Sequence, residues 1–294
     1  AGPSFPAACH QPRRSEHLMR ATRLVFPAVL LSAVFSMGPA FAVPALQAHR
    51  AVYDLTLNKA SDRSGITGIS GRMVYEFNGS ACEGYTVKFR FVTQIVTADN
   101  TRLTDQQTTT FEDAEGKTFS FVTKSFVDQN LDKEVKGIAT KETKGLKVDI
   151  DKPEKNSLEL AATQFPTQHL VELIGKAEKG ESFYETNLFD GSEDANKVMT
   201  TTVVVGKKTD ADKTDPEAPA LAKLATDKYW PVDIAYFDGT DKSGEEVPEY
   251  RISFKLHENG ITRDLVMDYG DFSMTGKLVN LSLFDQTKPC PASK

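Results

Sequence analysis

The chain has 294 residues, with 35 Lys and Arg against 41 Asp and Glu and a net charge of −6. An acidic balance does not attract phosphate backbones and argues against nucleic acid as a partner. Eighteen Phe and eight Tyr supply enough apolar material for a sizeable core.

The first element in chain order is a targeting segment. Met19-Arg20-Ala21-Thr22-Arg23 is a basic start, Leu24 to Met37 is almost wholly apolar, and Ala40-Phe41-Ala42 has small residues at its first and third positions. This is the pattern of a cleaved secretory signal peptide. Fourteen helical residues rise only about 21 Å against a hydrocarbon core of roughly 30 Å, so the run is too short for an anchor. The expected start is therefore Met19, with residues 1–18 an upstream extension, and cleavage falls between Ala42 and Val43. Residues 43–294 remain as a single β-rich domain. Losing 1–42 removes four Arg and one Glu, which leaves 31 basic against 40 acidic residues and a net charge of −9. No later apolar run approaches spanning length, so the processed chain is expected not to span a membrane.

Cys9 lies ahead of the signal segment, so the processed chain keeps only Cys82 and Cys290. An even count in an exported chain predicts one disulfide. It would close a loop of about 200 residues, for which the chain-entropy account gives at most roughly 5 kcal/mol.

The strands read in twos. Ala51, Tyr53, Leu55 and Leu57 alternate with mostly polar or small residues, as do Tyr85, Val87, Phe89 and Phe91. Phe119 and Phe121 share one face, Leu146, Val148 and Ile150 another, and Tyr250, Ile252, Phe254 and Leu256 a further one. Turn dipeptides punctuate the chain at Asn78-Gly79, Glu115-Gly116, Lys144-Gly145, Asp190-Gly191, Asp238-Gly239 and Asn259-Gly260; the last predicts a hairpin. Pro166, Leu170, Leu173, Ile174 and Ala177 instead fall on one helical face, with Gly180 as a stop and Glu172 and Lys176 spaced for pairing. A shorter helix is expected over Glu217 to Thr226, after a loop at 207–219 that is the only linker candidate. The architecture that follows is mainly β, a large curled antiparallel sheet with one main helix packed against it.

Catalytic and metal patterns are sparse. His49, His169 and His257 are scattered; His169 borders the helix's apolar face and His257 the polar face of its strand. Gly68-Ile69-Ser70-Gly71 is one residue short of a nucleophile elbow and reads as a turn or bulge. No dinucleotide or phosphate-binding loop is present, so no cofactor is implied. The clusters Asp190, Glu193, Asp194 and Asp210, Asp212, Asp215 do not match a calcium loop and read as solvated. Trp230 reads as core.

His49-Arg50-Ala51-Val52-Tyr53-Asp54-Leu55-Thr56-Leu57, Phe165-Pro166-Thr167-Gln168-His169, Trp230-Pro231-Val232 and Tyr269-Gly270-Asp271-Phe272, together with Cys82 and Cys290, resemble the blocks of the cell envelope integrity protein EipB family. The resemblance covers 43–294. It implies a periplasmic protein with a spiral-like sheet and a disulfide carried onto Cys82 and Cys290, and it brings no catalytic residues. Three functions compete: a non-enzymatic envelope-maintenance protein binding an envelope-associated protein or lipid, a carrier of an apolar ligand in a β cavity, and a hydrolase of envelope polymers.

Overall fold

The computed structural model describes residues 45–238 and 247–285. All strands belong to one antiparallel sheet. In chain order they are β1 (His49–Ala60), β2 (Ile66–Ser80), β3 (Gly84–Thr97), β4 (Thr101–Glu112), β5 (Thr118–Val127), β6 (Asn130–Glu142), β7 (Gly145–Lys152), β8 (Asn156–Leu160), β9 (Phe183–Leu188), β10 (Met199–Val205), β11 (Trp230–Asp238), β12 (Tyr250–Leu256), β13 (Thr262–Asp268) and β14 (Phe272–Leu283). Helix α1 (Pro166–Glu178) lies between β8 and β9, and the short α2 (Ala218–Leu221) between β10 and β11.

The strand order is β8-β7-β6-β5-β4-β3-β2-β1-β14-β13-β12-β11-β10-β9. Every neighbour is a chain neighbour except β1 and β14. The chain therefore starts mid-sheet, meanders out to one edge at β8, passes through α1 to the opposite edge at β9, and meanders back to β14. The sheet does not close into a barrel: β8 and β9 are not paired with each other. At this seam the chain makes only an isolated parallel bridge between Gln164 and Leu188. The expected curled sheet with one main helix is what the chain forms.

Residues directly opposite in a ladder share a face, so the inner face can be traced across strands. Tyr53 faces Met73, Met73 faces Phe91, Phe91 faces Gln106, and Gln106 faces Ser125. On this face Ala51, Tyr53 and Leu55 of β1 are buried, and Leu173, Ile174 and Ala177 of α1 join their apolar cluster. Burial of an aliphatic side chain of this size contributes about 1.5–3 kcal/mol, so Leu173 and Ile174 fix the helix to the sheet. A second cluster gathers Phe119, Phe121, Val135, Ala139, Leu146 and Val148 from β5–β7 with Phe165 and Phe189. Between the clusters the inner face of β4 carries Thr104, Gln106, Thr108 and Thr110. Thr93 meets Thr104 at 2.7 Å, and Thr108 meets Thr123 at 3.0 Å, through their hydroxyls.

Several turns fall where the sequence places them. The β12–β13 hairpin turns at Asn259-Gly260, where Gly260 has a φ of +84°. A Cβ there would lie 2.8 Å from Leu46. Asn78-Gly79 is a correction. Both residues pair with β3, and the turn comes later, at residues 81–83. Gly68 to Gly71 is no turn and lies inside β2, but the bulge alternative fits its start, where the register shifts between Ile66 and Gly68. The second helix is split: its α-helical part ends after Leu221, where Ala222 adopts a φ of +49°, and a 3-10 turn over Ala222–Leu224 follows.

The N-terminus of α1 explains how the helix is held. Its N-cap, Phe165, has no side-chain acceptor, so the first-turn N–H groups need an outside partner. Glu112, at the end of β4, supplies it: Thr167 N–H donates to one carboxylate oxygen at 2.8 Å and Gln168 N–H to the other at 3.2 Å. Burial raises the Glu112 carboxyl above its ordinary range, although these bonds and Lys141 act the other way. Glu112→Ala should lower unfolding free energy by about 2–3 kcal/mol, because two charge-assisted bonds are lost and buried donors are left unpaired. Glu112→Gln keeps an acceptor and should cost less. Denaturant titration of the two variants checks this; equal stabilities would refute it.

Candidate functional site

The three histidines are distributed, not gathered. His49 is buried on β1 with Nδ1 2.7 Å from the Gln47 carbonyl. His169 is buried on α1, with Nε2 3.4 Å from the Thr201 hydroxyl. Thr201 gives its own proton to the Thr186 carbonyl at 3.0 Å, so it can only accept from His169 and is not activated as a nucleophile. His257 corrects the expectation of a polar face. It is 1% exposed, because it follows the last residue of β12 and is folded inward by the turn.

His257 belongs to a buried ionic cluster that the sequence reading missed. Arg263 on β13 is 1% exposed. Its Nη1 donates to Asp215 at 2.6 Å and to Glu217 at 3.4 Å, and its Nε donates to His257 Nε2 at 3.0 Å. Arginine can only donate, so Nε2 is the unprotonated nitrogen and the imidazole proton sits on Nδ1. Glu217 also accepts from Leu278 N–H at 2.6 Å and Asp264 N–H at 3.2 Å, and Lys255 Nζ reaches Asp215 at 3.1 Å. The Arg263 guanidinium lies 5.0 Å from the centre of the Tyr229 ring. Desolvation raises the Asp215 carboxyl, but bonds from the Glu217 N–H, Arg263 and Lys255 outweigh it and bring the pKa to about 2. Desolvation leaves Glu217 above its ordinary range. Burial, then the Arg263 charge, lowers His257 to about 4.

This cluster corrects two readings. Asp215 is not part of a solvated acidic loop, and the 207–219 segment is not a bare linker: Asp215 and Glu217 anchor it to β12, β13 and β14. The signal was present in β13, where Arg263 occupies an inward position in line with Leu265 and Met267. Asp210 and Asp212 stay exposed, as expected. Trp230 is 3% exposed and buried in the main core, as read, with Lys208 over its ring at 4.5 Å. Among the described residues no three His, Cys, Asp or Glu side chains are placed to hold a metal ion.

At one end of the curl, Phe91, Ile95, Val127, Tyr269, Phe272 and Met274 border a cavity of about 250 Å³. At the seam, Ala162, Thr163 and Gln164 face Glu185, Thr186 and Asn187 of β9 across a groove of about 560 Å³. Gln164 spans it, donating to Glu172 on α1 and to the Thr186 hydroxyl, both at 2.7 Å. The expected Glu172–Lys176 pair forms at 3.9 Å, but Lys176 lies closer to Glu181, at 2.8 Å.

Of the predicted site residues, Cys82 lies in the exposed turn between β2 and β3. Cys290 and the cleavage positions Ala42 and Val43 lie outside the described residues. Among the described residues no helix is long and apolar enough to cross a membrane.

Comparison with known proteins places the chain among described relatives. The family model described as EipB-like matches residues 40–285. The Cell envelope integrity protein EipB of Brucella abortus (strain 2308) is 58% identical over 241 residues, which covers 82% of this chain and 85% of that protein. A crystal structure described as a β-barrel-like protein of a domain of unknown function, also from Brucella abortus, superposes with a TM-score of 0.80 at 58% identity. It covers 83% of this chain and 100% of the other.

Proposed function

The chain belongs to the EipB-like family, and from that premise we propose that it is an exported, non-enzymatic periplasmic protein that maintains cell envelope integrity by binding an envelope-associated partner. The observation that carries this reading is the 58% identity to a cell envelope integrity protein across most of both chains. The interior agrees with a binding role better than with the carrier alternative. Helix α1 occupies the apolar wall of the curl, where Leu173, Ile174 and Ala177 take the contacts an apolar ligand would need. The buried carboxylates of Glu112, Asp215 and Glu217 spend their oxygens on anchoring loops and the helix, which gives hydrolysis no assembled acid–base pair in its support.

The test is complementation of a deletion strain. Loss of the protein should sensitise cells to detergents and cell-wall-directed antibiotics. No single His, Asp, Glu or Ser variant with normal abundance and melting temperature should reproduce that loss, because binding energy is spread over several contacts whereas catalysis concentrates in one group. One stable, abundant carboxylate or serine variant with a null phenotype would favour catalysis.

Export and the disulfide are part of the same proposal. The protein recovered from the envelope should begin at or near Val43 on N-terminal sequencing. A Cys82–Cys290 bond should stabilise the fold without acting chemically, so Cys82→Ser should lower the melting temperature and increase proteolysis. Free reaction of both thiols with an alkylating reagent in the folded periplasmic protein would refute the bond.

A further inference from the structure

We infer that the free edge of β9 receives an extended peptide segment of the envelope partner as an added strand; this rests on the binding reading above and gives it a location. The argument begins with the parity of the ladder. In an antiparallel strand, successive residues direct their backbone groups to alternate sides. The Ser182 carbonyl accepts from Val205 N–H at 2.9 Å, so even-numbered residues face β10. The Asn187 carbonyl accepts from Gln164 N–H at 3.4 Å, and Phe189 N–H donates to the Gln164 carbonyl at 3.0 Å, so odd-numbered residues face away from it. The N–H and C=O groups of Phe183 and Glu185 therefore point into the seam, and among the described residues no strand lies beyond β9. Gln164 covers only the far end of this edge.

A row of alternating donors and acceptors is complemented by another extended backbone, which fixes the chemistry of the occupant. The groove between Gln164 and β9 lies at that edge. Side chains add a preference. Phe183 is 59% exposed and sits opposite Val204, itself 47% exposed, so the two form an apolar platform on the outer face. Glu185, two residues on and on the same face, has no ion-pair partner among the described residues. A strand laid here gains from an apolar side chain beside Phe183 and a Lys or Arg two residues away beside Glu185. Edge protection on β9 is light: no Pro, no Lys and no register shift interrupts Phe183–Leu188, and Glu185 is its one charge. The other edge, β8, offers the polar Ser157 and Glu159 on its outer face, while its Leu158 and Leu160 pack inward on the second cluster.

The test uses a phage library of random dodecapeptides selected against the processed chain with its cysteines oxidised. Synthetic copies of the enriched peptides are then titrated against the wild type, Glu185→Pro and Phe183→Lys. Proline at 185 removes an N–H that points into the seam and leaves the ladder with β10 intact. Enriched peptides should show an apolar-x-basic pattern and bind at least tenfold more weakly to both variants. N-methylation of alternate peptide amides should abolish binding. If Glu185→Pro does not fold, Phe183→Lys and the N-methylated peptides carry the test. The inference is overturned if no peptide is enriched, if binding ignores both variants, or if a dimer that Phe183→Lys dissolves shows a second copy on the edge. Full detergent resistance in a deletion strain complemented with Phe183→Lys would also overturn it while leaving the binding reading in place. That reading falls only to a stable, null carboxylate or serine variant that leaves the backbone of the β9 edge unaltered.

Discussion

Arg263→Met is expected to destabilise the protein by about 3–5 kcal/mol at neutral pH, the cost of leaving buried carboxylates without their cation. Methionine restores much of the volume, so the loss reports charge and not a cavity. The two acids are not equivalent. Asp215 keeps Lys255 at 3.1 Å and the Glu217 N–H at 2.9 Å, whereas Glu217 keeps only the N–H groups of Leu278 and Asp264. The strain should therefore centre on Glu217, whose carboxyl burial already raises. Adding Glu217→Gln to Arg263→Met should recover part of the loss, since the amide oxygen still accepts from the backbone. Adding Glu217→Leu should recover less, because those two N–H groups would be buried unpaired. Guanidinium unfolding of the three proteins decides it. A loss below about 1 kcal/mol for Arg263→Met, within the range of a surface pair, would show that the cluster does not carry the loop.

This cluster also marks the limit of what the sequence discloses. The strands with an apolar inner face, such as those holding Phe119 and Phe121 or Leu146, Val148 and Ile150, are legible because alternation reports burial on one side. β4 is not, because its inner residues are Thr104, Gln106, Thr108 and Thr110, and a polar inner face erases the period. Helix α1 is legible from its own spacing, but its anchor Glu112 lies 55 residues before Thr167 and has no local signature. Arg263 could have been suspected as a charge in an apolar row. Its partners Asp215 and Glu217 could not, since an acidic loop is ordinarily solvated and only the tertiary fold brings it to β13. The seam is equally hidden: that β8 and β9 are the edges follows from the pairing of β1 with β14, a contact between the two ends of the domain.

Acidification provides the other large effect. Burial lowers His169 to about 4, against a smaller opposing influence of Glu172, and burial with the Arg263 charge lowers His257 to about 4. The unfolded chain takes up these protons near pH 6.5, while the folded protein holds both rings neutral until about pH 4. The stability they contribute is therefore full above pH 6.5 and is lost as pH falls towards 4. By proton linkage each histidine should cost about 2 kcal/mol by pH 5 and about 3 kcal/mol when the loss is complete. His49, lowered by its own burial, acts in the same direction. Asp215 adds a later loss, as pH falls from its ordinary value of 3.8 towards 2. Glu112 and Glu217 have the opposite sign: their carboxyls are raised on folding, so the folded protein takes up their protons first and is relieved as pH falls. That relief begins above the ordinary glutamate range, where the folded carboxyls titrate, so it offsets part of the histidine loss between pH 6.5 and 5. Unfolding free energy measured at half-unit steps from pH 6.5 to 5 should fall by up to about 3 kcal/mol in total. His169→Gln and His257→Gln should each flatten the slope by about half, whatever they do to stability at pH 7. A free energy constant between pH 7 and 5 would mean that these rings accept protons in place, and that the buried contacts with Thr201 and Arg263 do not hold them neutral.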